Sequence, residues 1–435
     1  MKRQANIKNL AEFEGRELEL KAWVSQFRSS GKIAFLVLRD GSGECQAVLS
    51  EKTTDGESFK LFSKVSLECL VQVQARVKKW KQGFELEVLS LKILSPSPDY
   101  PIAKKAHGVD FLLTHRHLWL RSKRQRSLLK IRSEVMRHIH DFFQKEDFVQ
   151  VSAPILMPTA SEGTSSLFSV DFFKEDQVFL SQSGQLHMES ASSALSKVYC
   201  FGPAFRAEKS STRRHLLEFW MVEPEMAFYS LKEAMELAEQ LVEYVIQNTI
   251  QNNSSDFGVL KRDIKKLEKI KSPFPKISYQ EACKILKEKQ PDFVSGKDFG
   301  AVDESLLSAS FDQPVFVQKY PKNIKAFYMK EDPQNSDLSL SFDLLATEGY
   351  GELIGGSERE DNLDILLKKI REHGLEERYF KWYLDLRRYG SFPHSGFGLG
   401  LERLISWLCG LEHVREAIPF PRLYGRSFFE KQAEE

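Results

Sequence analysis

The chain has 435 residues, 42% of them hydrophobic and 28% charged, with a formal net charge of +1. That balance excludes a disordered chain and a uniformly basic nucleic-acid coat, leaves room for local basic patches, and gives enough length for about two to four domains. Five cysteines (Cys45, Cys69, Cys200, Cys283, Cys409) lie scattered with no CxxC pair, which fits reduced thiols in a cytosol-like compartment, and no apolar run approaches the about 20 residues that cross a bilayer.

The opening MKRQANIKNLAEFEGRELELKAW moves straight into strand-like alternation and reads as folded protein rather than a signal or transit segment. From about residue 16 to 95 the alternation continues. Leu18, Leu20, Ala22 and Val24 share one strand face; KIAFLVLRD, the turn Gly41–Gly43, ECQAVLS, SLECLVQVQARV and FELEVLSLKIL follow. Five strands of this length predict a small antiparallel barrel of the OB type or, as readily on strand count alone, a β-sandwich. The prolines of SPSPDYPIAKKAHGVD mark a linker.

Beyond it, Leu128, Ile131, Val135, Met136, Ile139, Phe142 and Phe143 recur at helical spacing. VQVSAPILM is a short β run whose Pro154 belongs at an edge or an interface. VFLSQSGQLHMESAS, VYCFGPAFRAE and HLLEFWMVEPEMAF alternate as an antiparallel meander would. LKEAMELAEQLVEYVI is an amphipathic helix, and SGFGLGLERLISWLCGL a glycine-punctuated strand running into a helix. Residues from about 250 to 335 mix short helical pieces with Pro and Lys and carry no readable function. There are no internal repeats.

One stretch stands out chemically. FRAEKSSTRRHLLEFW gathers Arg206, Lys209, Arg213, Arg214 and His215 around Glu208 and Glu218 and ends in two aromatics. Mixed charge of this kind is ordinarily a solvated face; the alternative is a polyanion pocket beside a flat ring. Planar guanidinium groups grip phosphate oxygens in pairs and stay protonated, as phosphoryl chemistry needs.

FVQVSAPILMP, FRAE…RRHLLEFW and GFGLGLERL resemble, in that order, motifs 1, 2 and 3 of the class II aminoacyl-tRNA synthetases. The five-stranded barrel adds the class IIb subgroup for aspartate, asparagine and lysine, and LLEFWMVEPEMAF, GELIGGSERE, PHSGFGLGLERL and IPFPR resemble its asparaginyl branch. The likeness spans essentially the whole chain and is weakest over 250–335. It implies an α+β protein: a five-stranded OB barrel over 1–98 that binds the anticodon, a linker over 99–120, and a catalytic domain over 121–435 with an antiparallel sheet flanked by helices. It also implies ATP-dependent ligation of L-asparagine to tRNA(Asn), with Mg2+, in a homodimer away from membranes.

The resemblance assigns roles residue by residue. Arg206 contacts the α-phosphate and the substrate carboxylate, while Arg214 and Arg403 hold the tail of a bent ATP. Glu208, His215, Leu216 and the run Gly400, Leu401, Glu402 fall at nucleotide-contact positions. Phe219 stacks on adenine, although its alternating context alone would place it in the core. Glu352 is the Mg2+ carboxylate; Gly355 stands where aspartate enzymes carry a serine ligand, which leaves the second metal contact open. Glu162, Gln185, Met188, Glu223 and Arg359 form the amino-acid pocket. Aspartate enzymes place a lysine where this chain has Met188, and a pocket without that cation suits a neutral carboxamide. Arg28, Phe35 and Gln46 take the anticodon positions, where barrel core (Phe35) or inert surface (Arg28, Gln46) is the plainer reading, and Pro154 marks the dimer interface. His394 is as readily structural as functional. An aspartyl enzyme and a catalytically silent tRNA-binding or regulatory paralogue are the alternative readings.

Overall fold

Side-chain alternation builds the first unit. In β1 (Glu17–Ser30), Leu18, Leu20, Ala22 and Val24 are buried while their neighbours Glu17, Glu19, Lys21 and Trp23 face out. β2 (Ile33–Arg39), β3 (Glu44–Ser50), β4 (Leu70–Trp80) and β5 (Gly83–Ser95) alternate in the same way. The five close into a barrel in the order β1-β2-β3-β5-β4, which decides between barrel and sandwich. It is not wholly antiparallel, because β3 and β5 pair in parallel. The segment after β3, including the helix Gly56–Leu61, carries the chain away from β3, so β4 joins β1 and β5 returns beside β3. Leu20, Leu36, Leu38, Val71, Val73 and Val88 fill the interior, each contributing about 1.5–3 kcal/mol by burial.

The computed structural model describes residues 5–81, 83–161, 166–173 and 177–426. Two compact units divide at Leu112/Leu113, inside the stretch 99–120. In the second unit the helix Lys123–Lys145 starts at Ser122, whose Oγ accepts the Gln125 N–H, and buries Leu128, Ile131, Val135, Ile139, Phe142 and Phe143. The helix Leu231–Asn252 starts in a capping box between Ser230 and Glu233. Both pack in one apolar core with sheet residues Val222, Met226, Phe342, Leu344 and Leu399.

The strands of this unit are β6 (Val149–Gln150), β7 (Leu156–Met157), β8 (Ser169–Val170), β9 (Val178–Leu180), β10 (Lys197–Phe205), β11 (Glu218–Ala227), β12 (Lys276–Ser278), β13 (Val315–Gln318), β14 (Glu331–Asp332), β15 (Asn335–Ser339), β16 (Ser341–Ala346), β17 (Gly351–Glu358) and β18 (His394–Gly400). Eight of them form one sheet in the order β12-β13-β16-β17-β18-β11-β10-β6. Its centre is antiparallel, as expected; at each edge a short strand, β12 or β6, pairs in parallel. The expected meander is only partly present. β10 and β11 pair along their length, but β9 joins β7 and β8 in a separate small sheet, and Gln185–Leu195 is a helix. Leu186, Met188, Glu189 and Ser192 recur there at helical spacing and are buried, a pattern that outweighs the apparent alternation of the segment.

Candidate active site

Two neighbouring strands make the floor of the site. On β11, Phe219, Met221 and Glu223 line cavities while Val222 and Met226 enter the core beneath. Beside it on β18, Gly398 and Gly400 line the cavities between the core residues Phe397 and Leu399. At Gly396 the missing side chain is a packing requirement, since a Cβ there would stand 1.9 Å from Glu225 Oε2 and 2.5 Å from Pro224 O; one at Gly398 would meet the flexible end of Met221, 2.6 Å from Cε.

A first cavity is lined by Arg206, Glu208, Arg214, His215, Leu216, Phe219, Glu352, Gly400, Glu402 and Arg403, so arginines far apart in sequence do converge. Arg403 donates from Nη1 to Glu352 Oε2 at 2.8 Å. Arg214 donates to Glu304 Oε2 at 2.9 Å, to Gly349 O at 2.6 Å and to the Ser305 hydroxyl. Arg206 lies over the Phe219 ring, its guanidinium carbon 5.5 Å from the centroid, and its buried Nε has no hydrogen-bond partner among the described residues. A buried donor of positive charge left unpaired is costly, and an anion in this cavity would satisfy it. Burial lowers the His215 pKa, which favours a neutral imidazole; the ring sits against Ser210, Thr212 and Glu208.

A second cavity is bordered by Ser183, Gln185, Glu223, Lys325, Asp343, Gly355 and Arg359, and shares Arg206, Met221, Glu352 and Gly398 with the first. Arg206 and Glu352 therefore stand at the junction. Arg359 is 2% exposed and bound through Nε and Nη2 to Glu225, at 3.0 and 2.9 Å, and through Nη1 to Ser357 at 2.9 Å. Burial alone would lower its pKa, but the Glu225 carboxylate holds it above the ordinary range. Arg359 thus borders the cavity as a donor whose charge is already matched. Glu223 accepts from Gly184 N at 2.8 Å and from the Ser183 hydroxyl. Lys325, which borders the cavity too, is matched by Asp343 at 3.0 Å and Asp298 at 3.3 Å.

A cation cradle is present in outline. A Cβ at Gly355 would lie 3.0 Å from Glu352 Oε1 and 3.5 Å from Asp343 Oδ1, so the bare glycine leaves an opening between two carboxylates. Such a set of hard oxygens fits Mg2+. Burial would raise the Glu352 pKa, but Arg403 and Lys325 together hold it below its usual value.

Two predicted residues, Leu401 and Met188, fall outside both cavities. Leu401 is fully buried in the core behind the sheet, so its side chain does not reach the cavity. Glu402 lines it, but its carboxylate is occupied by Arg132 Nη1 at 2.7 Å and Trp220 N at 2.9 Å, tying helix Lys123–Lys145 to β11. Met188 packs with Val198 and Cys200 in a small apolar cluster and does not border the second cavity, because its place on the helix turns it toward β10. Glu162 lies outside the described residues. Pro154 is exposed, beside Ile155 and Leu156, which are 44% and 46% exposed. Sequence reasoning missed Glu304, Lys325 and Asp343. The first two lie in the tract that gave no signal; Asp343, a lone acid in the apolar run SFDLLA, was the one visible clue.

In the barrel, Arg28 and Phe35 are opposite partners on β1 and β2, with the guanidinium carbon 4.7 Å from the ring centroid. Phe35 faces outward between buried Ala34 and Leu36, so it is not barrel core. Gln46 pairs with Val37, two residues along from Phe35, which puts all three on one outer face; its Nε2 donates to Glu85 at 3.1 Å.

Comparison with known proteins agrees with this architecture. Residues 108–424 match the tRNA synthetases class II (D, K and N), and residues 18–94 match the OB-fold nucleic acid binding domain. The chain is 50% identical over 423 residues to the asparagine–tRNA ligase of Pelotomaculum thermopropionicum, covering 97% of this chain and 98% of that one. It is 48% identical to the Symbiobacterium thermophilum asparagine–tRNA ligase, with coverage of 97% and 98%. Asparaginyl-tRNA synthetase from Pyrococcus horikoshii, solved with asparaginyl-adenylate, superposes with a TM-score of 0.95 at 40% identity, over 99% of this chain and all of that one, 100%. The chain therefore belongs to the class II tRNA synthetases of the aspartate, lysine and asparagine group and, within it, to the asparagine–tRNA ligases.

Proposed function

We propose that this chain joins L-asparagine to tRNA(Asn) in two steps, forming asparaginyl-adenylate from ATP with release of pyrophosphate and then transferring the asparaginyl group to the tRNA 3′ end. The observation that carries the reading is the junction: Arg206 and Glu352 border both a cavity rich in guanidinium groups and a cavity whose cations are largely matched. Arg206, whose Nε has no partner among the described residues, holds the α-phosphate against the asparagine carboxylate in this reading. Fixed charge of this kind lets the carboxylate approach phosphorus without a protein base. Arg214 and Arg403 take the far phosphates, with His215 and Glu208 beside them, and Phe219 offers a ring face to adenine. Glu352 and Asp343 would hold Mg2+, which supplies charge neutralisation at the triphosphate. The bond between the α- and β-phosphates breaks and pyrophosphate leaves; the adenylate's acyl carbon then passes to a terminal ribose hydroxyl, releasing AMP.

Selection of asparagine rests on charge matching. Arg359 donates to the side-chain oxygen without adding net charge, and Glu223 stands where it accepts from the amide nitrogen and repels a carboxylate. On the barrel, Arg28, Phe35 and Gln46 form a stacking and hydrogen-bonding face for anticodon bases. The exposed apolar residues Val149, Ile155 and Leu156 around Pro154 suit a homodimer interface. Incubation with labelled asparagine, ATP, Mg2+ and a tRNA(Asn) transcript tests the reading: acid-precipitable label is expected, and its absence overturns it.

A further inference from the structure

Behind the second cavity lies a buried group of charges that the mechanism above does not use. Glu189, on the helix Gln185–Leu195, is 0% exposed. Its Oε2 accepts from Tyr383 Oη at 2.7 Å, Arg387 Nη2 at 2.7 Å and His394 Nε2 at 3.0 Å. His394 Nδ1 in turn faces Phe392 O at 2.8 Å, so both ring nitrogens point at oxygen acceptors. Glu189, Glu225 and His394 offer ligand atoms within 4.8 Å of one another, but both carboxylates are taken up by guanidinium groups, Arg387 on one and Arg359 on the other. The group is an ion-pair hub.

The remaining oxygen of the hub reaches the site. Glu189 Oε1 accepts from Gln185 Nε2 at 3.0 Å, and Gln185 lines the second cavity. Arg387 and His394 hold Glu189 below the usual carboxylate range although burial acts against it. An ionised carboxylate only accepts, so the Gln185 amide must turn its nitrogen inward. Its oxygen then takes no hydrogen bond among the described residues.

We propose that Glu189 is a positioning residue for amino-acid recognition: anchored by Tyr383, Arg387 and His394, it locks the Gln185 carboxamide so that its oxygen is presented to the substrate ammonium. This rests on the reading of the second cavity as the asparagine site. The hub also gives the PHSG histidine a role: it anchors Glu189 and does not line the second cavity.

Glu189→Gln tests this. A glutamine can offer Gln185 either an oxygen or an amino group, so the lock is lost at little change in volume. Calorimetric titration of the full chain with L-asparagine and with succinamic acid, which is asparagine without its ammonium, separates positioning from general damage. The expected result is asparagine binding weakened at least about tenfold, succinamic acid changed by less than about threefold, and an ATP KM in pyrophosphate exchange within about twofold of the parent. An unchanged ratio of the two affinities overturns the proposal, whether both hold or both fall. If Glu189→Gln does not purify folded, Glu189→Asp keeps the charge but withdraws it by one methylene, and the same ratio is read. Failure of the parent protein to bind asparagine would instead count against the proposed function itself.

Discussion

Gly396→Ala is a small change with a large expected effect. The added Cβ would sit 1.9 Å from Glu225 Oε2 and 2.5 Å from Pro224 O, where a carbon and an oxygen ordinarily stay about 3.3 Å apart. The carboxylate must retreat by more than about 1 Å, because the other obstacle is main chain. That breaks the paired contacts at 3.0 and 2.9 Å that match Arg359. Separating a buried ion pair costs about 3–5 kcal/mol. If about 2.7 kcal/mol of this falls on substrate binding, the KM for asparagine in ATP–pyrophosphate exchange rises about 100-fold. Discrimination against aspartate narrows as well, since an unmatched Arg359 welcomes a carboxylate. Gly398→Ala is the control. Its Cβ meets the end of the flexible Met221 side chain at 2.6 Å and touches Glu223 Cγ at an ordinary 3.9 Å, and a change within about fivefold is expected. Parent-like asparagine KM in Gly396→Ala, or greater damage in Gly398→Ala, would refute the reasoning.

Arg206→Ala removes the guanidinium at the junction and should slow pyrophosphate exchange by about 100- to 1,000-fold while tRNA binding measured by filter retention stays within about twofold. Phe35→Ala should weaken tRNA charging by an amount equal to one lost base stack, about 1–3 kcal/mol, and leave exchange unchanged; equal loss of both contradicts the division of labour between barrel and catalytic unit. Phe143→Ala, at a fully buried site, should lower unfolding free energy by about 3–5 kcal/mol in urea titration. Burial pushes the Cys45 and Cys409 thiols up to about 12 and raises Cys200 too, so at pH 8 iodoacetamide should spare all three in the native protein, and mass spectrometry of the labelled peptides checks this.

Strand faces and the long helices were legible because alternation and helical spacing record which side of an element is buried. The barrel residues Leu18 to Val24 and the helix residues Leu128 to Phe143 occupy the faces read for them. Gln185–Leu195 was misread because small residues such as Ser and Ala satisfy either period, and its burial is decided by contacts far away in sequence. The arginines of the first cavity were found by their company and by family likeness. Glu304 and Lys325 were not, since their partners Arg214 and Asp343 are 90 and 18 residues away and nothing local announces the pairing. Leu401 shows the opposite limit: Gly400, Glu402 and Arg403 around it line the cavity, while its own side chain at the start of a helix turns into the core.

The most direct measurement is ATP–pyrophosphate exchange driven by asparagine and by aspartate in parallel. Matched cations around the second cavity predict robust exchange with asparagine and at least about 100-fold lower kcat/KM with aspartate. Equal or faster exchange with aspartate would contradict the account.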